Sequence, residues 1–425
     1  MSTSMSKDEE CFDGKEWRLG EFKNCKFDRS CLQNPEDFDE IGRFILDNFP
    51  SQVGLNWPSP STDGMCVFRN KGFVGHIQLP NDYSIRLVPK VDLKNVFGMM
   101  EYAYNLGDFD LESVYDSDTV EGFYDRIANI LAQNVVRRRK QGLYRDYVRQ
   151  SEKSQTIRGR INFAKTVQKP WDSKAQIEYN EMTANNENNQ ILLYTLSKIS
   201  ASANLCREET LQTARRGIRS MQGAIDYKIF RPDDCVGRQY NRLNQDYHRM
   251  HALSRLILDN SGASYEVGET MMVPFNVKMD LLYQKFVTKW LEKNLPDRYE
   301  INRGGEEEKV ILTEFAGKEL HYRIDIVLYD SKQTEPIAVI DAKYKDNERP
   351  TTSDISQMVG YAKATGAKES FLLYPSRLED SLDIQLDDVH VRNQTFSLND
   401  DLESNGFAFL TDLSKALDEP ELVPS

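Results

Sequence analysis

IAVIDAKYK, residues 337–345, opens as a buried strand and closes on charge: the apolar run from Ile337 to Ile340 is followed by Asp341 and Lys343. Side chains alternate along a strand, so Asp341 and Lys343 project to one face while Ala342 points to the other. A charge at the end of an apolar strand needs a partner or a task, because burying it unpaired is costly. The stretch YRIDIVLYD (322–330) reads as a second strand and carries Asp325; the midpoint of positions 325 and 341 is Gln333, inside the polar connection DSKQTE. An antiparallel hairpin centred there sets Asp325 opposite Asp341, with Lys343 next along the same face. Two facing carboxylates repel unless something cationic lies between them.

A hard divalent ion supplies that charge. Mg2+ takes one or two carboxylates, keeps several waters and leaves room for a phosphate oxygen. It polarises a scissile phosphate and lowers the pKa of a bound water, while a nearby lysine orients the nucleophile or stabilises charge on the phosphorane. Asp325 and Asp341 are therefore candidate metal ligands, the backbone carbonyl of Ala342 a further one, and Lys343 the candidate catalytic cation; Mn2+ is a possible substitute. In SDISQMVGYAKATG (353–366), a capped helix ending at glycine, Gln357 and Tyr361 are four apart and share a face, available to hold Lys343 or a phosphate. The competing reading is a structural Asp–Lys pair across a hairpin.

The chain has 425 residues, enough for two or three domains with cores of their own. Its formal net charge of −13 argues against a protein that coats nucleic acid by bulk electrostatics. Any DNA contact is local, and the basic stretch from Arg137 to Arg160 is one place for it, although charge runs are also ordinary solvated faces. No apolar stretch reaches the roughly 18 to 20 residues that span a membrane, and MSTSMSKDEECFDGKEW lacks the core of a signal peptide. A soluble, cytoplasmic protein is the expectation, and its six cysteines, without a CxxC pair, are expected to be reduced thiols. Cys25 and Cys31 lack the second pair a zinc site needs, and His248 and His251, three apart on a helix, lack a completing ligand.

Residues 1–60 read as an extension, with the loop-like NWPSPSTDG near their end. From Met65, MCVFRNKGFVGHIQLPNDYSIRLVPKV alternates apolar and polar residues around Gly72, Gly75 and a Pro80–Asn81–Asp82 turn, a small antiparallel β unit. The acid-rich GDFDLESVYDSD leads into Phe123, Ile127, Ile130, Leu131, Val135 and Val136, a helical spacing that continues toward Gly142: a long helix followed by a basic stretch, with a break at Gly159. Helices follow around 189–203 and 240–258, the second with Leu243, Tyr247, Met250, His251, Leu253, Ile257 and Leu258 on its apolar face. FNVKMDLLYQKFVTKWLEKNL (275–295) is an amphipathic helix, and ESFLLYP (369–375) is a strand after the capped helix. The expected class is α+β and multidomain: a β-rich N-terminal unit with long helices over 61–265, then an α/β/α core with a mixed sheet over 266–425.

The helix, the acidic hairpin and the QxxxY helix together resemble the PD-(D/E)xK nuclease core, the restriction-endonuclease-like fold. GFVGHIQLPNDYSIRLVPKV, FGMMEYAYNL, QGLYRDYV, TIRGRINF, NNENNQILLYTL and FNVKMDLLYQKFV, in this order before the D, DAK and QxxxY series, look like the McrC family, over roughly residues 65–380. That is the nuclease subunit of McrBC modification-dependent restriction systems. The resemblance implies a Mg2+-dependent endodeoxyribonuclease, with Asp325 and Asp341 as metal ligands, Lys343 catalytic, and Gln357 and Tyr361 in support. It implies a McrB-like AAA+ GTPase ring as partner, contacted by residues 61–265 and stimulated in its GTP hydrolysis, and double-stranded DNA with modified cytosine as substrate. The absence of a GxxxxGK[ST] loop agrees that a motor must come from elsewhere. The basic stretch then becomes a candidate contact for the ring or for DNA.

This chain departs from the family pattern in two places. The first-helix motif usually offers glutamate where Gln284 stands, so that metal ligand or its support is neutral, and weaker metal binding is expected. Ile324 replaces a typical proline before Asp325. Gln284 keeps open an alternative, a catalytically weak adaptor that activates an AAA+ NTPase; the intact Asp325, Asp341 and Lys343 oppose it. A stand-alone RecB-like nuclease with an iron-sulfur cluster is disfavoured because the last cysteine, Cys235, precedes the core.

Overall fold

Alternating residues build the first layer. The strands are β1 (Glu16–Gly20), β2 (Asn24–Phe27), β3 (Val53–Asn56), β4 (Cys66–Asn70), β5 (Phe73–Gln78) and β6 (Ser84–Val88), with helices α1 (Asp37–Asn48) and α2 (Leu93–Ala103). The computed structural model describes residues 11–107, 117, 119–168, 171–262, 265–267, 270–302, 307–315, 318–332, 336–345 and 349–423. Contacts divide the chain into two compact units, residues 1–123 with 276–425, and residues 124–275.

In the first unit β1 runs parallel to β6, which pairs antiparallel with β5, while β2 and β3 flank β4 antiparallel. The two small sheets share one aromatic core. Trp17 of β1 is fully buried, its ring centroid 5.2 Å from Phe27 and 5.1 Å from Phe68. Gly72 closes the turn between β4 and β5 at φ +86°, and an added Cβ would lie 2.5 Å from the Phe22 ring, so this turn requires glycine. The sheet around Met65–Val91 is therefore mixed, not purely antiparallel, because β1 joins it from outside that stretch. Residues 11–60, read above as an extension, supply three of these strands and α1; widely spaced apolar positions on short strands gave little periodicity to read.

Cys11 and Cys25 are joined in a disulfide, with Cα atoms 5.8 Å apart, which corrects the expectation of six free thiols. That pairing depends on how the N-terminal strands return on one another, which Cys spacing alone does not encode.

The second unit takes most of α3 (Val120–Gln141), strands β7 (Asp146–Ser154), β8 (Arg160–Ile161) and β9 (Ala175–Thr183), and helices α4 (Glu187–Ser200), α5 (Glu208–Met221) and α6 (Gln245–Asn260). β9 lies between β7 and β8, antiparallel to both. The helix thus ends at Gln141, before Gly142 at φ +104°, and the rest of the basic stretch is strand and turn rather than helix. GDFDLESVYDSD lies almost wholly outside the described residues. Arg138, Arg149 and Lys153 form ion pairs with Asp246, Glu178 and Asp172, so part of that charge is met locally. Buried His251 faces the Tyr240 hydroxyl at 2.9 Å and the Asn188 carbonyl at 3.0 Å, and burial lowers its pKa to about 4, which makes it a neutral core residue. Leu243 precedes α6 and is exposed, not part of its apolar face.

The chain returns to the first unit with β10 (Phe275–Lys278), α7 (Met279–Asn294), β11 (Tyr299–Ile301), β12 (Glu308–Phe315), β13 (Lys318–Ile324), β14 (Ile326–Asp330), β15 (Pro336–Ala342), α8 (Thr352–Thr365), β16 (Glu369–Tyr374), β17 (Asp383–Leu386), β18 (Val389–Thr395) and α9 (Leu402–Leu417). Six strands form a mixed sheet in the order β11-β14-β15-β16-β18-β17. β15, β16 and β18 are mutually parallel, and α8 makes the crossover from β15 to β16. The stretch YRIDIVLYD is two strands: β13 pairs with β12 as a separate ribbon, β14 joins the main sheet, and Asp325 is the residue where the chain changes partners. The molecule is an α+β protein of several sheets. Among the described residues no helix is long and apolar enough to cross a membrane.

Candidate active site

Hairpin register positions the two aspartates. Ile326 pairs with Ile340 and Val327 with Val339, so the next pair outward is Asp325 with Asp341. Gln333, the expected centre of the connection, lies outside the described residues, and the register slips only beyond Leu328, toward that end. Oδ2 of Asp325 accepts the backbone N–H of Ala342 at 3.0 Å, which ties the two strand ends together.

Lys343 follows β15 and its side chain turns back over the carboxylates. Its Nζ lies 2.6 Å from Oδ2 of Asp341, 3.6 Å from Oδ1 of Asp354, and donates to Oε1 of Gln357 at 2.8 Å. Nε2 of Gln357 in turn donates to the Tyr361 hydroxyl at 2.6 Å. Four of the expected residues, Asp341, Lys343, Gln357 and Tyr361, thus form one chain of contacts. Asp341 is buried, and although Nζ neighbours its Oδ2, that oxygen receives no well-directed hydrogen bond. A buried carboxylate oxygen so placed is suited to a metal ion.

The electrostatics show strain between like charges. Burial, followed by the charge of Asp341, raises the Asp325 pKa to about 7, only partly offset by the Ala342 N–H and by Lys343. Burial also raises Asp341, against the pull of Lys343. For Lys343 burial acts to lower the pKa, but Asp341, Asp354 and Asp325 outweigh it and hold the ammonium above its ordinary value. At neutral pH Lys343 is a hydrogen-bond donor, not a base.

Three supporting residues escaped the sequence reading. Asp354 caps α8 reciprocally with Thr351 and binds Lys345 at 2.8 Å, so one buried carboxylate anchors the helix and both lysines. The T-x-x-D pattern at 351–354 carried that signal. Tyr344 is buried, its hydroxyl donating to Glu21 at 3.1 Å while Lys90 sits 4.3 Å over its ring. Glu307 is the third: Gln284 of α7 donates Nε2 to Oε1 of Glu307 at 3.1 Å, and the charge of Glu307 contributes to raising Asp325. Its place in GGEEEKV held no periodic or motif signal.

Among the described residues no group of three or more His, Cys, Asp and Glu is placed to hold a metal ion. Two carboxylates with a strand-end carbonyl are a donor set that fits Mg2+, which fills its remaining positions with water, and not zinc, which takes four protein ligands or three.

Fold and site define an α+β protein whose mixed sheet presents a partly buried centre of two aspartates and a lysine at one strand end. The chain belongs to the family of McrBC 5-methylcytosine restriction system components, whose model matches residues 68–375. A chain from the refined half-complex of the tetradecameric assembly of Thermococcus gammatolerans McrB AAA+ hexamers with bound McrC is similar in fold at 16% identity, with a TM-score of 0.50, over 94% of this chain and 100% of that one. A chain of the Thermococcus gammatolerans McrBC complex, solved by cryo-EM, matches at 16% identity over 66% of this chain and 88% of that one, with a TM-score of 0.40. A search of the curated proteins found no match.

Proposed function

We propose that this chain is the DNA-cleaving subunit of a GTP-dependent restriction complex directed at modified cytosine, and that it stimulates a McrB-like AAA+ GTPase ring through residues 61–265. Membership of the family and the assembly of McrB AAA+ hexamers with bound McrC, to which a chain of similar fold belongs, support the partner. The observation that carries the chemistry is the buried Oδ2 of Asp341, held beside Asp325 and 2.6 Å from Nζ of Lys343.

Asp325, Asp341 and the Ala342 carbonyl would hold Mg2+, or Mn2+ in its place. When bound, the ion supplies Lewis acidity that polarises a phosphate and makes water nucleophilic. The protein's own groups do the rest. Lys343, kept protonated by three aspartates, presents its ammonium where negative charge develops on the phosphoryl oxygens. Gln357 and Tyr361 fix the rotamer of Lys343, and Asp354 keeps α8 against the strand ends.

Gln284 favours a second reading. Its amide is turned to Glu307, so α7 contributes no charge to the centre, as a catalytically weak adaptor would have it. One experiment separates the two. The chain, its AAA+ partner, GTP and Mg2+ are given cytosine-methylated and unmethylated plasmid, with Asp341→Ala and Lys343→Ala beside wild type. Cutting of methylated plasmid that both variants lose, with GTP hydrolysis still stimulated, is expected. Stimulated GTP hydrolysis without cutting, under Mg2+ and Mn2+ alike, establishes the adaptor instead.

A further inference from the structure

A cavity of about 430 Å³ opens in the same unit as the aspartate centre, lined by Gln284, Lys285 and Lys289 of α7 and by Lys309, Arg323 and Glu307, the last of which acts by its charge on Asp325. Four cations and one carboxylate meet there in a chain whose net charge is −13. Folding alone does not account for the arrangement. Lys285 and Lys289 are one helical turn apart on one face of α7, a like-charge pair that destabilises a helix. Lys309 and Arg323 stand directly opposite in the β12–β13 ribbon, where like charges also repel. Two unrelated elements therefore each aim a repelling pair into one space. Part of that charge is met: Lys289 pairs with Glu292, Lys309 with Glu319, and Lys285 lies 5.3 Å from the Tyr104 ring centroid. Arg323 is exposed and precedes Asp325 by two residues, so the cavity adjoins the reacting centre along the chain.

We propose that this cavity is a backbone-phosphate site for the DNA strand entering the active centre, with Lys285, Lys289, Lys309 and Arg323 as its cations. The inference rests on the nuclease reading, which supplies the polymer, and shares its phosphate chemistry with free phosphate and nucleotides. Arg323 and Lys285 give it planar, forked and point-charge donors from two sides, the pattern that grips phosphodiester oxygens without reading bases. Glu307, whose charge acts on Asp325, keeps phosphate from settling beside it and leaves that end to the metal centre.

The test uses the full chain as Asp341→Asn, in EDTA, with a fluorescent DNA duplex followed by anisotropy across a salt series. Lys285→Gln with Arg323→Gln is expected to weaken binding roughly tenfold and to reduce the slope of log affinity against log salt by about 2, one for each phosphate no longer neutralised. Arg219→Gln, on an exposed face of α5, is the control and should leave both unchanged. The melting temperature of the double variant should stay close to that of its parent, since the repulsion removed offsets the Tyr104 ring contact that Lys285 loses; this keeps weakened binding distinct from misfolding. An unchanged slope overturns the proposal, as does equal weakening in the control. Inorganic phosphate and GTP are run as competitors: displacement of DNA by either at micromolar concentration, abolished in the double variant, reassigns the cavity to a free anion and overturns the DNA assignment. Because binding is read without metal or cleavage, an unchanged slope beside intact Asp341-dependent cutting sinks the cavity alone. A reduced slope with an Asp341→Asn chain that still cuts sinks the nuclease assignment alone.

Discussion

At the residue scale the centre is a set of opposed charges whose balance depends on pH. Without metal, Asp325 has a pKa of about 7 against an ordinary 3.8, so the folded chain holds a proton there that the unfolded chain has released. Its contribution to stability is fully present below about pH 4 and is lost as pH rises through 7. In EDTA the melting temperature is expected to fall between pH 5 and pH 8, by about 3 °C or more, and Asp325→Asn should flatten that fall. Mg2+ should restore the alkaline side in wild type only; a wild-type profile that is already flat in EDTA refutes the strain. Glu307 adds to that strain, so Glu307→Gln should shift the transition to lower pH in the same titration. Lys343→Arg tests geometry against charge: a guanidinium keeps the charge but not the point contact with Asp341 and Gln357, and cleavage should drop by about 100-fold or more with little change in melting. Cleavage at wild-type rates would show that any cation serves.

At the element scale, α7 is held by α2 and α9 around one shared carboxylate. Oε2 of Glu403 accepts the Tyr102 hydroxyl at 2.5 Å and the Trp290 indole N–H at 2.9 Å. Gly406 lets α9 approach the fully buried Trp290 ring: an added Cβ would lie 2.2 Å from its Cζ2. Gly406→Ala should cost about 1–3 kcal/mol, read as a lower denaturation midpoint, because an overpacked ring has no free space to take up. Retention of the wild-type midpoint would mean that α9 can shift away. α9 was not anticipated from the sequence; glycine in a helix interior usually weakens it, and the packing against Trp290 is the reason that glycine belongs there.

At the scale of the molecule, the residues after 265 do not form their own compact unit. Asn95 donates to the carbonyls of Leu398 and Asp400, at 2.8 and 3.0 Å, and Tyr344 reaches Glu21 across the sequence. The compact unit accordingly joins residues 1–123 to 276–425, a partition different from the functional one drawn at 60 and 265. A fragment of residues 266–425 should show no cooperative melt, since α7 would expose the apolar face that α2 covers, and co-expression with residues 1–123 should restore one. A cooperative transition in the fragment alone would refute this dependence.

Local order was legible wherever a short-range rule governs it. The polar connection DSKQTE implied the hairpin register that sets Asp325 opposite Asp341, and four-residue spacing placed Gln357 and Tyr361 on one face of α8. Strand alternation and helical period act between near neighbours, so a linear reading contains them. Partner choice is a long-range matter. Only the tertiary structure decided that YRIDIVLYD splits at Asp325, that Gln284 turns to Glu307, that Cys11 meets Cys25, and that Tyr344 is anchored by Glu21. Each of these depends on which distant segment comes to lie alongside, and that is settled by burying apolar surface over the whole unit rather than by any preference of the residues themselves.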